Sequence, residues 1–334
     1  MKKELAIPVF VGKRVCIIGN LNVDLIIRNV PQMPQWGQEV FGDNYLAASS
    51  GQSAYTAFAL GKYNIHTGII SNVGNDLYGD KILKDLGSAG IDISEVEKVA
   101  DGKTGITVAI VRCDGERAFV SDPSSLASFN RETVKRHQHM AESADLVCIV
   151  GNFFLPGFSI EDVGFFSKKL RKSGTPVLLD TGWDPGNWPR KTIGQLRGIL
   201  KHVDYFIPNI DEAAAITGER GQEKAAEKLL SDGCGNVIIK LGADGCYLRS
   251  ENDEIYVPPF KTTIVDAVGA GDVFNAGFIF GVLQNWPMEA AMIFGSATAS
   301  LYISRLTNRF PEFRETAELA NTNANYQFME DDRL

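Results

Sequence analysis

Val265-Asp266-Ala267-Val268-Gly269-Ala270-Gly271-Asp272-Val273-Phe274 is the stretch on which the reading of this chain turns. Small residues run directly into a segment rich in Ala, Phe and Ile, residues Gly271–Gln284, that reads as a helix. A helix N-terminus carries N–H groups without intrahelical partners and the positive end of the helix dipole. Gly and Ala let a phosphate come close to those groups. Asp272 falls in the first turn. A carboxylate there repels phosphate, so it is a poor choice for binding alone. It makes sense where it takes a proton from an attacking hydroxyl while the N–H groups hold a phosphoryl group in transfer. Taken by itself the stretch also reads as a Gly-rich loop with a helix-capping Asp. A dinucleotide fingerprint fits poorly, because position 274 is Phe where a third Gly belongs and the motif lies late in the chain. A Walker A loop fails as well: Gly102-Lys103-Thr104 has Glu97 in place of the loop's first Gly.

Outward from this turn the chain alternates. Val15–Gly19, Thr67–Ser71, Leu146–Val150, Pro176–Asp180, Tyr205–Ile207 and Val237–Leu241 are short, nearly continuous apolar runs. Such runs are expected for strands of a parallel sheet covered on both faces. Between them Ser53–Lys62, Leu77–Ala89, Ile160–Ser173 and Glu223–Ser231 carry apolar residues at helical spacing. Met288–Arg305 forms a further helix, with Asn285-Trp286-Pro287 as the turn before it. The alternation predicts a three-layer α/β/α core. Two regions interrupt it. Residues 25–46 hold strand-like runs broken by Pro31, Pro34 and Gly37, and residues 104–121 read as a hairpin turning at Asp114-Gly115. Together they predict a small β lid over a cleft, within one domain spanning 13–310 and followed by an extension over 311–334. Their exposed strand edges suit pairing between two chains, hence a homodimer through the lid.

Composition sets outer limits. The chain has 334 residues, about two domains' worth or one large domain with an appendage. Its net charge of −8 repels phosphate backbones and anionic membranes, which argues against nucleic-acid or membrane partners. Five scattered Cys, none in a Cys-x-x-Cys pair, read as reduced thiols of a cytoplasmic protein. The apolar stretch Leu5–Val11 is too short, and contains Pro8, for a signal peptide. No apolar run approaches the ~20 residues of a membrane span. The final Glu330-Asp331-Asp332-Arg333-Leu334 reads as a polar, frayed tail. His137-Gln138-His139 lacks a nearby third metal ligand.

The Asp266–Asp272 turn resembles the Asp-Thr-Thr-Gly-Ala-Gly-Asp signature of the ribokinase-like carbohydrate kinases, the phosphofructokinase-B family. Four more stretches match in order. Gly19-Asn20-Leu21-Asn22-Val23-Asp24 is similar to the family's first strand and sugar-binding Asn-x-Asp. Ser50-Gly51-Gln52-Ser53-Ala54-Tyr55-Thr56-Ala57 resembles its Gly-Gly-x-x-x-Asn-x-Ala helix start. Asn209-Ile210-Asp211-Glu212 resembles its Asn-x-x-Glu motif, and Lys240-Leu241-Gly242-Ala243-Asp244-Gly245 its nucleotide-side loop. The resemblance implies a ribokinase-like fold with a β lid and transfer of the ATP γ-phosphoryl group to a sugar or nucleoside hydroxyl. It implies Asp272 as base and Gly269, Ala270 and Gly271 as anion hole. It implies Asn22, Asp24, Gly51, Gln52 and Tyr55, with Asn152 on the pocket floor, for the acceptor. Asn209, Lys240, Gly242, Ala243, Gly245 and Asn275 fall to the nucleotide, and Glu212 to Mg²⁺ through water. Asp266 takes the place of the family's monovalent-cation loop, which would hold K⁺.

Three positions depart from the pattern. Tyr55 stands where the family has a sugar-binding Asn, Ser50 replaces the first Gly of that motif, and Ala267 replaces a Thr. The first two alter the acceptor pocket and leave the phosphoryl machinery intact. A nucleoside kinase and a non-catalytic sugar- or nucleotide-binding protein of the same fold are therefore the alternatives to a sugar kinase. Asp180, at a strand end, reads equally as a functional group or a turn residue. Trp36 falls in the lid, within reach of an acceptor, while Trp183, Trp188 and Trp286 read as packing aromatics.

Overall fold

The computed structural model describes residues 2–7, 12–114, 116–306, 308–323 and 325–330. Gly115 of the expected hairpin turn and the tail beyond Glu330 lie outside these residues. In chain order the strands are β1 (Lys3–Ile7), β2 (Arg14–Gly19), β3 (Asn22–Val30), β4 (Asn44–Ser50), β5 (His66–Gly74), β6 (Val96–Val99), β7 (Gly105–Arg112), β8 (Arg117–Asp122), β9 (Leu146–Val150), β10 (Val177–Asp180), β11 (Tyr205–Phe206), β12 (Asn236–Lys240), β13 (Cys246–Ser250), β14 (Glu254–Val257) and β15 (Tyr326–Glu330). The helices are α1 (Gln52–Gly61), α2 (Leu77–Ser88), α3 (Arg131–Glu142), α4 (Ile160–Ser173), α5 (Arg190–Ile199), α6 (Ile210–Thr217), α7 (Gln222–Ser231), α8 (Ala270–Leu283), α9 (Met288–Ile303) and α10 (Phe313–Ala320).

Nine strands form the central sheet, in the order β14-β13-β12-β11-β10-β9-β2-β5-β6. From β12 to β6 neighbouring strands run parallel; β13 and β14 add an antiparallel edge. The apolar runs follow from burial on both faces. Ile17, Cys148, Leu178 and Ile238 join one core cluster, while Cys16, Ile18, Ile149, Leu179 and Ile239 join the other. Successive strand residues alternate between faces, so two helical layers need an unbroken apolar strand between them. The first cluster takes in α1, α8 and α9, and the second takes in α4 and α7.

The small sheet has the order β4-β3-β7-β8. It is larger than the expected lid. The β3–β4 ladder continues to Asn22↔Ser50, and β7 begins at Gly105 opposite Asn22. Asn22 and Asp24 therefore belong to the lid sheet and not to the first core strand, which ends at Gly19. Ile27, Tyr45 and Val120 share one face of it and are exposed, while Phe119 is exposed on the other.

Two further differences concern the ends of the chain. Lys3–Ile7 is a strand, paired in parallel with Tyr326–Glu330. Residues from 313 onward, read as an extension, pack into the main core through Ala317, Ala320, Tyr326 and Phe328. Phe328 is 2% exposed and stands 5.0 Å, ring to ring, from Trp286. Apolar side chains on an otherwise polar tail are what draw it inward. Among the described residues no helix is long and apolar enough to cross a membrane.

Candidate active site

The parallel strands β2, β9, β10 and β12 deliver Gly19, Val150, Asp180 and Lys240 at their carboxyl ends. In open α/β sheets this is the edge where ligands are held. Asp180 is the hub there. Its Oδ2 accepts from Lys240 Nζ at 2.6 Å and from Asn275 Nδ2 at 2.7 Å. Asn275 lies one turn beyond Asp272 on α8, so one hydrogen bond fixes the rotation of the helix that carries the proposed base.

Gly269 precedes α8 with φ +80°, in the left-handed region, and a Cβ there would lie 2.8 Å from the Tyr55 ring. Glycine is required twice over at this position, by conformation and by contact. The turn leaves the first N–H groups of α8 without intrahelical partners. Ala270 N–H leans on the Ala267 carbonyl at a long 3.3 Å. Lys240 adds a positive charge on the same side, since a methyl on Gly271 would come within 3.2 Å of Nζ. Asp272 lies in the first turn of α8 and is hydrogen-bonded by the Gln52 side chain. Burial, then the neighbouring Asp180, raise its carboxyl to about 7, against the pull of Lys240 and the Gln52 amide. Glu212 is likewise raised to about 7 by burial and Asp180. Burial works against the charge on Lys240, but Asp180 and Glu212 more than offset it and its pKa rises.

Asn209 and Glu212 form a reciprocal cap on α6. Asn209 Oδ1 accepts Glu212 N–H at 2.8 Å, and Glu212 Oε2 accepts Asn209 N–H at 2.8 Å. Structural capping and nearness to the charged group coexist in one residue. Asp180, Glu212 and Asp272 outweigh Lys240, and Asn275 Oδ1 is buried with no hydrogen-bond partner among the described residues. Among the described residues no group of three or more His, Cys, Asp or Glu is placed to hold a metal ion, so a divalent cation here would take most of its ligands from phosphate and water.

A cavity of about 450 Å³ opens on the far side of the turn. Lys240, Gly242, Ala243 and Gly245, four of the residues assigned to the nucleotide, line it together with Ala270 and Gly271 of the expected anion hole. The β12–β13 turn is a hairpin, with Leu241 N–H donating to the Gly245 carbonyl. Asn209 and Asn275 do not line this cavity. The sequence reading missed Pro259 and Phe260 and the α9 stripe Ser296, Ala299, Ser300 and Ile303. That stripe's i, i+3, i+4, i+7 spacing was the available signal; small residues on it leave room for a flat apolar group.

On the acceptor side Asn22 Nδ2 donates to Asp24 Oδ1 at 2.9 Å and to Ser50 Oγ at 3.0 Å. Tyr55 Oη donates to Asp24 Oδ2 at 3.1 Å. Burial raises the Asp24 carboxyl, although Ser50, Tyr55 and Asn22 hydrogen bonds oppose it. Gly51, with φ +96°, passes so close to Asn20 that a Cβ would lie 2.4 Å from its carbonyl. Gln52 reaches Gly151 and Gly182, where added methyls would meet Oε1 at 2.8 and 2.7 Å. Asn152 follows Gly151, and its buried Oδ1 has no partner among the described residues.

Other expected positions fall outside this group. Asp266 is held by Arg28 and by Val268 N–H. Trp36 stands fully exposed in the loop after β3. Trp188 packs edge-on against Phe153 and Trp183, and Trp286 against Phe280. His137 is bracketed by Glu95 and Glu97.

Comparison with known proteins agrees with this geometry. A family profile described as pfkB family carbohydrate kinase matches residues 13–312. The chain is 25% identical to a ribokinase of Haemophilus influenzae over 313 residues, 92% of this chain and 98% of that protein. It is 28% identical to a 2-dehydro-3-deoxygluconokinase of Bacillus subtilis over 264 residues, 76% and 80% of the two chains. Its fold matches that of an Arabidopsis thaliana ribokinase solved with ribose and ATP. The TM-score is 0.80 at 21% identity, covering 93% of this chain and 99% of that one.

Proposed function

Because the chain belongs to the pfkB family of carbohydrate kinases, we propose that it phosphorylates a hydroxyl of a sugar or sugar derivative with Asp272 as base. One observation carries the residue assignment. Asp272 is a buried carboxylate raised to about 7, set between an anion-binding helix start and a cluster of hydroxyl-binding side chains. A base titrating near neutrality is matched to its task, and such a group contributes on the order of 10²–10⁴-fold in rate.

The geometry supports the following division of labour. Asn22, Asp24 and Gln52 orient the acceptor so that one hydroxyl meets Asp272. Asp272 accepts its proton as the oxygen attacks. The N–H groups of Gly269–Gly271 and the Lys240 ammonium hold the negative charge of the group in transfer, a role in which preorganised donors act strongly. Gly242, Ala243 and Gly245 shape the cavity for the nucleotide, and Glu212 and Asn275 supply oxygen toward Mg²⁺. Bound Mg-ATP supplies the phosphoryl group and screens its charge.

Tyr55 favours a sugar over a larger acceptor, because its ring fills space and its hydroxyl already engages Asp24. A panel of sugars, sugar acids and nucleosides assayed for ADP release tests the reading. At least one sugar or sugar acid should be turned over, with loss in Asp272→Asn. Turnover of nucleosides alone would move the assignment to a nucleoside kinase, and nucleotide binding with no turnover on any acceptor would make it a binding protein.

A further inference from the structure

Arg28 reaches from β3 of the small sheet to Asp266, with Nη2 2.5 Å from Oδ2. The side chains are 15% and 3% exposed. Asp266 Oδ1 accepts the N–H of Val268 at 3.0 Å. The N–H groups of Val265 and Asp266 both donate to the Ile303 carbonyl at the end of α9. Val268 leads directly into Gly269 and the start of α8. Asp266 thus sets the path of the chain into the anion-binding turn, and Arg28 sets Asp266.

This arrangement does not fit K⁺ at Asp266. A monovalent cation needs several oxygen ligands, but here one carboxylate oxygen meets a guanidinium and the other meets an N–H. A fixed positive charge at that distance repels a second one. Arginine is always charged and holds its donors in a rigid fork, so it can do permanently what a diffusible ion does at saturation. Its strand also carries Asn22 and Asp24, which lie at even spacing from Arg28 and so on the same side of β3.

We propose that Arg28 is a positioning residue that acts as a built-in cation. It holds the Asp266–Gly269 turn in place for phosphoryl transfer and couples that turn to the acceptor-binding strand, so that turnover needs no added monovalent cation. The turnover readout rests on the kinase reading above; a melting readout does not. The test compares KCl with tetramethylammonium chloride at equal ionic strength, on the full chain. Wild-type kcat and melting temperature should be the same in both salts, within about twofold for kcat. In tetramethylammonium, Arg28→Ala should lose about tenfold or more in kcat, since small displacements of catalytic groups cost that much. KCl or dilute guanidinium chloride should restore part of the loss and raise the melting temperature of the variant. Arg28→Lys should keep more activity than Arg28→Ala. Rescue by a small cation is the result that a merely structural arginine would not give. A wild-type enzyme that requires KCl, or is stabilised by it, overturns the proposal, as does an Arg28→Ala variant with full turnover in tetramethylammonium. If Arg28→Ala does not fold, the wild-type salt comparison and Arg28→Lys decide. If no acceptor is turned over, the melting comparison alone decides.

Discussion

At the residue scale the proposed chemistry depends on a carboxylate kept out of water. Asp272→Asn should lower kcat by about 10²–10⁴-fold while ATP still binds, measured by ADP release and by nucleotide titration. In the wild type kcat/KM should fall as pH drops below about 7, because the base is then protonated. The same burial has a cost in stability. The folded pKa of Asp272 is raised above its unfolded value, so the folded chain binds the extra proton. That contribution is complete below the ordinary carboxylate range and is lost as pH rises through about 7. Asp272→Asn should therefore melt higher than wild type at pH 8, with the difference shrinking toward pH 5; a variant less stable at pH 8 would contradict this. Asp272, Gly269–Gly271 and Lys240 were legible in the sequence because they sit in contiguous motifs. Asp180 was not resolved there. Its partners Lys240 and Asn275 lie 60 and 95 positions away, and only the sheet brings them together. Arg28 left no local signal either, since its partner lies 238 positions on.

At the element scale, the proposed function needs α8 to be held rigidly, because its first turn is the proposed anion site. It is apolar around most of its surface and packs closely on α9. A Cβ on Gly277 would lie 2.4 Å from Thr298 Oγ1 and 2.8 Å from Gly295 Cα. Gly277→Val should cost about 1–3 kcal/mol through overpacking, read from the denaturant midpoint. It should also lower kcat in the folded fraction, because any shift of α8 moves Gly271 and Asp272. An unchanged midpoint would show that the two helices are not in this close contact. The same scale explains which elements the sequence revealed. Leu146–Val150 and Ile160–Ser173 are found as expected, the first as an apolar run buried on both faces, the second through its periodicity, to which the structure adds a Ser159–Asp162 capping box. Val96–Val99 escaped notice because an edge strand reading Val-Glu-Lys-Val has no such run. Tyr326–Glu330 escaped because its apolar residues are only Tyr326, Phe328 and Met329, set in a polar tail.

At the scale of the whole molecule, the proposed function has an acidic chain handle a polyphosphate through local exceptions: a helix start, one buried lysine and a cation brought by the nucleotide. Integrity at this scale depends on the end of the chain. Phe328 packs against Trp286 and Phe294, with ring centres 5.0 and 5.7 Å away. Phe328→Ala should cost about 3–5 kcal/mol and shift the Trp emission measured during unfolding. A loss under about 1 kcal/mol, the size expected of a surface change, would mean that the strand is dispensable. The parallel pairing of Lys3–Ile7 with Tyr326–Glu330 has a consequence in time as well as in space. Of these two strands the one made earlier waits for a partner more than 300 positions further on. Until then the backbone N–H and C=O groups along its edge have no strand to pair with, so the interval between the two is when this pairing is most open to chaperones and to mispairing. A slow codon or a stalled ribosome between them would lengthen that interval without changing a single residue.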